Sequence, residues 1–312
     1  MERIQGWPAA PLGPSAVAFG NFDGLHVGHR AIIGSLRAAA VGFGGGVTLA
    51  TFDPHPLSLL RPERAPRAID PLALRLARFA EAGVDRTVVL RFDETLRQTS
   101  ALDFADRLFR QLGARVVVAS SDSRFGAGGR GDIALLRAAA ARNQARVLQI
   151  PAVSRDGERV SSSRVRRLIE AGDVEQAWAL LERPFELDGE VVHGDARGRT
   201  IGFPTANLAT AGQVAPAAGV YVAQLLVDGA WLPAVANLGL RPTVDGASWR
   251  TEAHVLDRAI DLYGKRVRLR LLRHLRGERR FADLDALRAA IAEDADAARR
   301  MLAVWFERGA LA

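Results

Sequence analysis

Two imidazoles three residues apart, His26 and His29, stand in the string Gly20-Asn21-Phe22-Asp23-Gly24-Leu25-His26-Val27-Gly28-His29-Arg30. That spacing puts both rings on one face of a helical turn. The string follows a small apolar run, so the turn is expected to open a helix, where backbone N–H groups and the helix dipole favour anions. Imidazoles placed there suit a nucleoside triphosphate and the charge that develops on a departing pyrophosphate. Gly24 and Gly28 would let the backbone approach such a ligand closely. A second cluster, Ser161-Ser162-Ser163 followed by Arg166, offers hydroxyls and a guanidinium at a helix start. These suit phosphate oxygens, and the serines also suit a plain N-cap.

Composition narrows the chemistry. The 312 residues are 48% hydrophobic and 25% charged and contain no cysteine. Disulfides, thiolate nucleophiles and cysteine-based metal sites are therefore excluded, and any metal must sit on oxygen or histidine ligands. No apolar stretch is long enough for a membrane span, and the N-terminus lacks the apolar core of a secretory signal, so a cytoplasmic protein is expected. Lys265 is the sole lysine and is followed by Arg266, which rules out a Walker A loop. The formal charge of +7 comes from arginines such as Arg75, Arg107, Arg137, Arg183 and Arg299, scattered among acidic residues. They read as a solvated surface. A nucleic-acid-binding reading rests on that charge alone, and with only 6% aromatic residues no basic stripe is interleaved with stacking side chains.

The elements that must position these groups are legible from periodicity. From Ser15 to Leu181, apolar runs at Ala16 to Phe19, Val47 to Phe52, Thr87 to Leu90, Arg115 to Ala119 and Arg146 to Ile150 read as strands. They alternate with helical patterns near Arg30 to Ala40, Pro71 to Ala82, Ala101 to Leu112 and Ile133 to Arg142. This is the rhythm of an α/β fold with a parallel doubly wound sheet, in which ligands bind beyond the strands' carboxyl ends. After Arg183-Pro184, period-two runs from Phe185 to Leu272 without a long intervening helix suggest a small closed β-barrel. A final helix carries Leu284, Leu287, Ile291, Ala298, Leu302 and Trp305 on one face. Two domains are expected, 1–183 and 184–312.

Gly126-Ala127-Gly128-Gly129-Arg130-Gly131 matches a dinucleotide fingerprint. A polar stretch separates it from the strand, and the next strand ends in Gln149-Ile150-Pro151 with no carboxylate for a ribose. It reads as a flexible loop over a site or a plain turn.

The whole Gly20 to Arg30 string resembles the nucleotidyltransferase signature of the prokaryotic bifunctional riboflavin kinase/FAD synthetase family. Thr51-Phe52-Asp53-Pro54-His55-Pro56 is similar to its T-F-x-P-H-P string, and Ser161 to Arg166 to its S-S-T-x-x-R string. Gly198-Arg199-Thr200-Ile201-Gly202-Phe203-Pro204-Thr205-Ala206-Asn207 resembles its flavokinase motif, and Asn237 to Thr243 and Glu252-Ala253-His254 match further strings.

The resemblance implies a Rossmann-like FMN adenylyltransferase domain followed by a barrel-shaped riboflavin kinase domain. Riboflavin would be phosphorylated to FMN, and FMN adenylylated to FAD with release of pyrophosphate. ATP for adenylylation would be bound by Gly20, Asn21, Phe22, Asp23, Gly24, His26, His29, Ser161, Ser162, Ser163 and Arg166, with both histidines also catalytic. His55, Pro56, Asp122, Phe125, Asn237 and Arg241 would contact flavin. Gly198, Arg199, Gly202, Phe203, Pro204, Thr205 and Asn207 would bind the kinase's ATP, with Thr205 and Asn207 ligating Mg²⁺, Asp122 a further metal candidate and Glu252 the catalytic base.

The partners implied are small molecules, neither nucleic acid nor membrane, and the oligomeric state is left open. One departure stands out: Ser120-Ser121-Asp122-Ser123-Arg124-Phe125-Gly126 replaces the family's G-x-D-F-x-F-G. The loss of a glycine and an aromatic residue supports an alternative, a riboflavin kinase with an impaired adenylyltransferase domain.

Overall fold

The computed structural model describes residues 1–194, 202–210, 212–243, 246–258 and 260–307. The chain forms two compact units, the first comprising Met1–Arg67 and Leu72–Ser162, the second Ala68–Pro71 and Ser163–Ala312.

The first unit is a six-stranded sheet of β1 (Glu2–Gln5), β2 (Ser15–Phe19), β3 (Gly46–Asp53), β4 (Arg86–Arg91), β5 (Ala114–Ser120) and β6 (Arg146–Ile150), in the order β1-β4-β3-β2-β5-β6. Every pairing is parallel. The expected strands are present, and β1 adds an edge strand that sequence reading missed. Val17, Ala50, Val88, Val117 and Ala119 face one core, while Ala16, Ala18, Leu49, Val89, Val116 and Val118 face the other. Helix α1 (Val27–Val41) buries Ile33, Leu36 and Ala40 against the second of these cores. α2 (Pro56–Leu60) is a short helix beyond β3, and α3 (Leu72–Glu81) packs Leu76 and Phe79 beside α1. After the short α4 (Glu94–Gln98), α5 (Ala101–Arg110) and α6 (Ile133–Arg142) cover the other face. Ser100 and Asp132 cap these two helices by accepting from the N–H groups of Asp103 and Leu135. A short antiparallel pair, β7 (Ser154–Arg155) with β8 (Glu158–Arg159), follows β6.

Successive strands from β2 run outward through β3 to β4, and the chain then returns to place β5 on β2's other flank. That reversal opens a crevice beyond the carboxyl ends of β2 and β5.

In the second unit, α7 (Ser162–Glu170) and α8 (Val174–Leu181) lead into a closed barrel. Its strands are β9 (Phe185–Val192), β10 (Ala206–Ala209), β11 (Gly219–Val227), β12 (Ala230–Thr243), β13 (Gly246–Val255) and β14 (Arg266–Arg276), in the order β10-β13-β12-β11-β14-β9. Ala68–Pro71 belongs here: Ala68 bonds to Gly212 and Val214, and buried Asp70 accepts from Arg183 at 2.7 Å. Arg75 and Arg183, expected on a solvated surface, are 6% and 8% exposed.

The closing helix α9 (Leu284–Glu307) lays Ala295, Ala298 and Leu302 on Val222 and Leu272 of the barrel. Leu284, expected on that face, is 66% exposed because the apolar stripe engages the barrel only further along the helix. Trp178 and Trp305, both partly buried, meet edge to face at 6.3 Å and pack against this cluster. Asp294 accepts a bidentate pair from Arg276 at 3.0 and 2.7 Å in a largely dry setting. Replacing Asp294 by Ala strands the guanidinium, and the barrel unit should lose roughly 3 kcal/mol. Urea unfolding followed by tryptophan fluorescence measures it, since four of the five tryptophans lie in this unit, and an unchanged midpoint would refute the assignment.

Candidate functional site

The crevice of the first unit is built around the entry to α1. His26 is the N-cap, its Nδ1 accepting from the N–H of His29 at 3.4 Å. A Cβ on Gly28 would stand 3.2 Å from the His26 ring, so glycine at that position lets the ring fold back over the helix end. With Nδ1 occupied as an acceptor, an uncharged His26 ring would carry its proton on Nε2. His29 stacks on His26 with ring centroids 3.7 Å apart and meets Phe22 edge-on at 5.2 Å. Enclosure by protein, and then the charge of His26, hold the His29 imidazole well below its ordinary value of 6.5. His29 is therefore neutral at physiological pH.

The loop before α1 is held from beneath. Thr51 Oγ1 and Arg75 Nη1 donate to the Asn21 carbonyl at 3.1 and 2.9 Å, and Arg75 Nη2 donates to the Phe52 carbonyl at 3.2 Å. Sequence reading missed this buried arginine. The signal was its place on α3, four residues before the core side chain Phe79 and hence on the same face. His55 caps α2 through Nδ1, which accepts from Leu57 N–H at 3.1 Å, while Pro56 starts that helix. The Asn21 amide lies 3.0 Å from His55 Nε2 and so ties the two expected strings together.

Ser162 Oγ donates to the carbonyl of buried Asp23 at 2.9 Å, which brings the serine cluster to this loop. Ser163 and Arg166 fall in the part of α7 that belongs to the second unit.

Beyond β5, Ser120 Oγ donates to Asp122 at 2.7 Å and stands 3.2 Å from Ser123 Oγ, and Arg159 of β8 pairs with Asp122 at 2.6 Å. The Arg159 guanidinium, and then the Ser120 hydroxyl, hold the Asp122 carboxyl below the ordinary carboxylate range. Phe125 is buried between Phe19 and Phe104 at 5.4 and 5.7 Å. The glycine string after it forms a tied turn rather than a flexible loop. Phe125 and Gly131 exchange backbone hydrogen bonds, and Gly126 packs so tightly on Ala101 that a Cβ would come within 2.4 Å of its backbone.

In the second unit, strand register assembles the other site. Glu252 on β13 stands opposite Asn207 on β10 and opposite Asn237 on β12, so the three lie in one row across three adjacent strands. Their neighbours Thr251 and Ala253 are buried inside the barrel, so the row faces outward. Thr205 Oγ1 lies 3.5 Å from Glu252 Oε1, to which Arg250 also donates. Gly194, another residue missed in the sequence, leaves the space that Asn207 fills, since a Cβ there would meet the amide at 2.3 Å.

His254 Nδ1 lies 2.8 Å from the Pro204 carbonyl, and Phe203 packs on the His254 ring at 5.5 Å. Pro204 and Thr205 border a cleft of about 400 Å³ that Val191, Ala253, Val255 and Tyr263 also line. Gly202 precedes it with φ +89°. Gly198 and Arg199 lie outside the described residues, and Arg241 stands in β12 opposite Ser248. Among the described residues no three His, Asp or Glu side chains cluster as metal ligands. The hydroxyl of Thr205, which lines the cleft, and the amide of Asn207 and carboxylate of Glu252, in the row beside Thr205, are instead hard oxygen donors. That donor set fits Mg²⁺, which keeps several waters and takes its remaining ligands from substrate phosphates.

Comparisons with known proteins agree with this division. A family profile described as FAD synthetase matches residues 10–164, and one described as riboflavin kinase matches residues 181–302. The bifunctional riboflavin kinase/FMN adenylyltransferase of Escherichia coli K12 is 39% identical over 96% of this chain and 96% of its own. Its namesake in Pseudomonas fluorescens is 41% identical over 91% of this chain and 92% of its own. A solved structure described as a macrolide-efflux protein from Streptococcus pneumoniae is similar with a TM-score of 0.87, at 29% identity, over 96% of this chain and 99% of that one. Sharing 39% and 41% identity with these enzymes over almost its whole length, the chain belongs to the bifunctional riboflavin kinase/FMN adenylyltransferase family.

Proposed function

We propose that the chain performs both reactions in the cytoplasm, phosphorylating riboflavin to FMN and adenylylating FMN to FAD with release of pyrophosphate. The observation that carries this reading is that two phosphate-suited sites, one at the head of α1 and one on the outer row of the barrel, are built on separate folds of one chain. Adenylylation is assigned to residues 1–183 and phosphorylation to residues 184–312.

In the barrel, Glu252 takes the proton of the riboflavin 5′-hydroxyl as that oxygen attacks the γ-phosphorus of ATP. Thr205 and Asn207 would hold Mg²⁺, which when bound would supply charge neutralisation to the phosphates. Positioning supplies much of the remaining rate in such transfers. Pro204 and Thr205, at the mouth of the cleft, hold the nucleotide together with Gly198, Arg199, Gly202 and Phe203. Asn237 and Arg241 contact the flavin.

In the first unit, the FMN phosphate attacks the α-phosphorus of a second ATP. Its second pKa is about 6, so it is already ionised at neutral pH and needs no general base. The work left to the protein is to hold the triphosphate and to stabilise the departing pyrophosphate. The N–H groups at the head of α1 and the His26 imidazole would do that, with His29 stacked on it as a neutral neighbour. His55, Pro56, Asp122 and Phe125 form the flavin side. Ser120 and Ser123 preserve an ordered wall through hydrogen bonds where the family uses glycine and phenylalanine, which favours an active adenylyltransferase over a kinase-only chain.

Chromatography of flavins after incubation with ATP and Mg²⁺ tests the reading, with FAD expected from riboflavin and from FMN alike. FMN accumulating without FAD would overturn the adenylylation half. Glu252→Gln should lower FMN formation by roughly 10²- to 10⁴-fold, the range of general base catalysis, while FAD formation from added FMN continues.

His29 links folding to pH. Unfolded, it takes a proton near 6.5, whereas the folded ring resists protonation. Its stabilising contribution is thus fully present above pH 6.5 and is lost as pH falls from there towards the lowered folded value. Thermal unfolding between pH 5 and 8 (roughly the window in which histidine titrates) should show the midpoint falling on the acid side. His29→Gln should flatten that fall, and an equally steep fall would refute the linkage.

A further inference from the structure

We infer that Arg250 is a positioning residue for riboflavin phosphorylation, holding one carboxylate oxygen of Glu252 so that the other is free to take the substrate proton. This rests on the reading of Glu252 as the base. Arg250 and Glu252 are two apart on β13 and so project from the same face. The Arg250 guanidinium donates to Oε1 of Glu252, the oxygen that Thr205 Oγ1 also approaches at 3.5 Å. Oε1 is thereby tied to two donors, and no described residue donates to Oε2.

The guanidinium is itself constrained. Its cross-strand partner on β12 is Gly239, over which the Glu278 carboxylate lies, since a Cβ there would stand 2.0 Å from Glu278 Oε1, and the Arg250 Nε is buried without a hydrogen-bond partner among the described residues. Among the described residues, the polar partner of the head is Glu252. A carboxylate turned by such a clamp presents a defined lone pair, which is what general base catalysis requires.

The step balances without Arg250 gaining or losing a proton. The hydroxyl proton passes to Oε2, the bond from O5′ to the γ-phosphorus forms, and the bond from that phosphorus to the leaving ADP oxygen breaks. When Glu252 becomes neutral, the guanidinium keeps its positive charge beside the phosphoryl group in transfer.

The test is steady-state riboflavin phosphorylation by the full chain carrying Arg250→Gln, Arg250→Lys, Glu252→Gln, or Arg250→Gln with Glu252→Gln. Arg250→Gln should lower kcat by about 10- to 100-fold, the scale of misplacing a catalytic group, with KM for riboflavin and ATP within about twofold of the parent. Arg250→Lys keeps a cation that can reach Oε1 and should recover most of the loss. The double variant should be no slower than Glu252→Gln alone, because orienting a base has no value once the base is gone.

An unchanged kcat for Arg250→Gln, a loss confined to KM, or a further loss in the Glu252→Gln background would overturn the positioning role. If Arg250→Gln fails to fold, Arg250→Lys decides, and a folded lysine variant as slow as Glu252→Gln would overturn it too. Near-parental phosphorylation by Glu252→Gln would instead sink the reading of Glu252 as the base, a different failure from that of Arg250.

Discussion

Strand register is the constraint on which both sites rest. Side chains alternate faces along a strand, so a slip of one residue moves every group to the opposite side. In the barrel, Glu252 meets Asn207 and Asn237 on the outer row because Thr251 and Ala253 are buried on the inner one. One slip of β13 would put a carboxylate into the apolar interior and a methyl group into the site, and the desolvation cost of that carboxylate guards the pairing. In the first unit the same alternation sends Val17 to one core and Ala16 and Ala18 to the other. The chain therefore leaves β2 at a fixed height, and the loop that carries the histidines starts where β2 and β5 diverge.

The two sites solve the problem of phosphate charge differently. At the head of α1 the positive potential comes from backbone dipoles and an imidazole N–H, and His29 is kept neutral by enclosure and by its stacked neighbour. Two charged rings with centroids 3.7 Å apart would repel, so the pair offers directional donors rather than a fixed net charge. On the barrel the local groups are a carboxylate, a hydroxyl and an amide, with Arg250 bound to the carboxylate.

Much of this was readable from residue patterns. The five expected parallel strands, the barrel, the closing helix and the placement of the histidine string follow from apolar periodicity and turn residues. β1 was missed because Glu2–Gln5 is a four-residue edge strand without apolar alternation. Arg75 was taken for a surface cation because its charge suggested solvent, yet its position on the Phe79 face of α3 buries it, and carbonyls of the active loop satisfy it. Leu284 fits the helical stripe but lies beyond the end of the surface it was expected to cover. Gly194 left no local signal, since its use is set by the Asn207 side chain thirteen residues away. Periodicity reports which face a residue occupies. It does not report which neighbour will need the space.

The four residues Ala68–Pro71 make the chain's connectivity discontinuous: it leaves the first unit after Arg67, contributes to the second, and returns at Leu72. Within the second unit, Ile69 is fully buried and its carbonyl receives the Gln213 amide, while Asp70 is the acid that Arg183 donates to. A gene fragment beginning near residue 184 would carry the barrel strands but lack this interior segment, and it would expose the groove that Ala68 bridges between Gly212 and Val214. The two units are thus encoded as interleaved rather than consecutive stretches of polypeptide. Recombination that exchanges one half for a homologue's must match residues 68–71 to the barrel's parent, not to the parent of the sheet in which they sit by sequence.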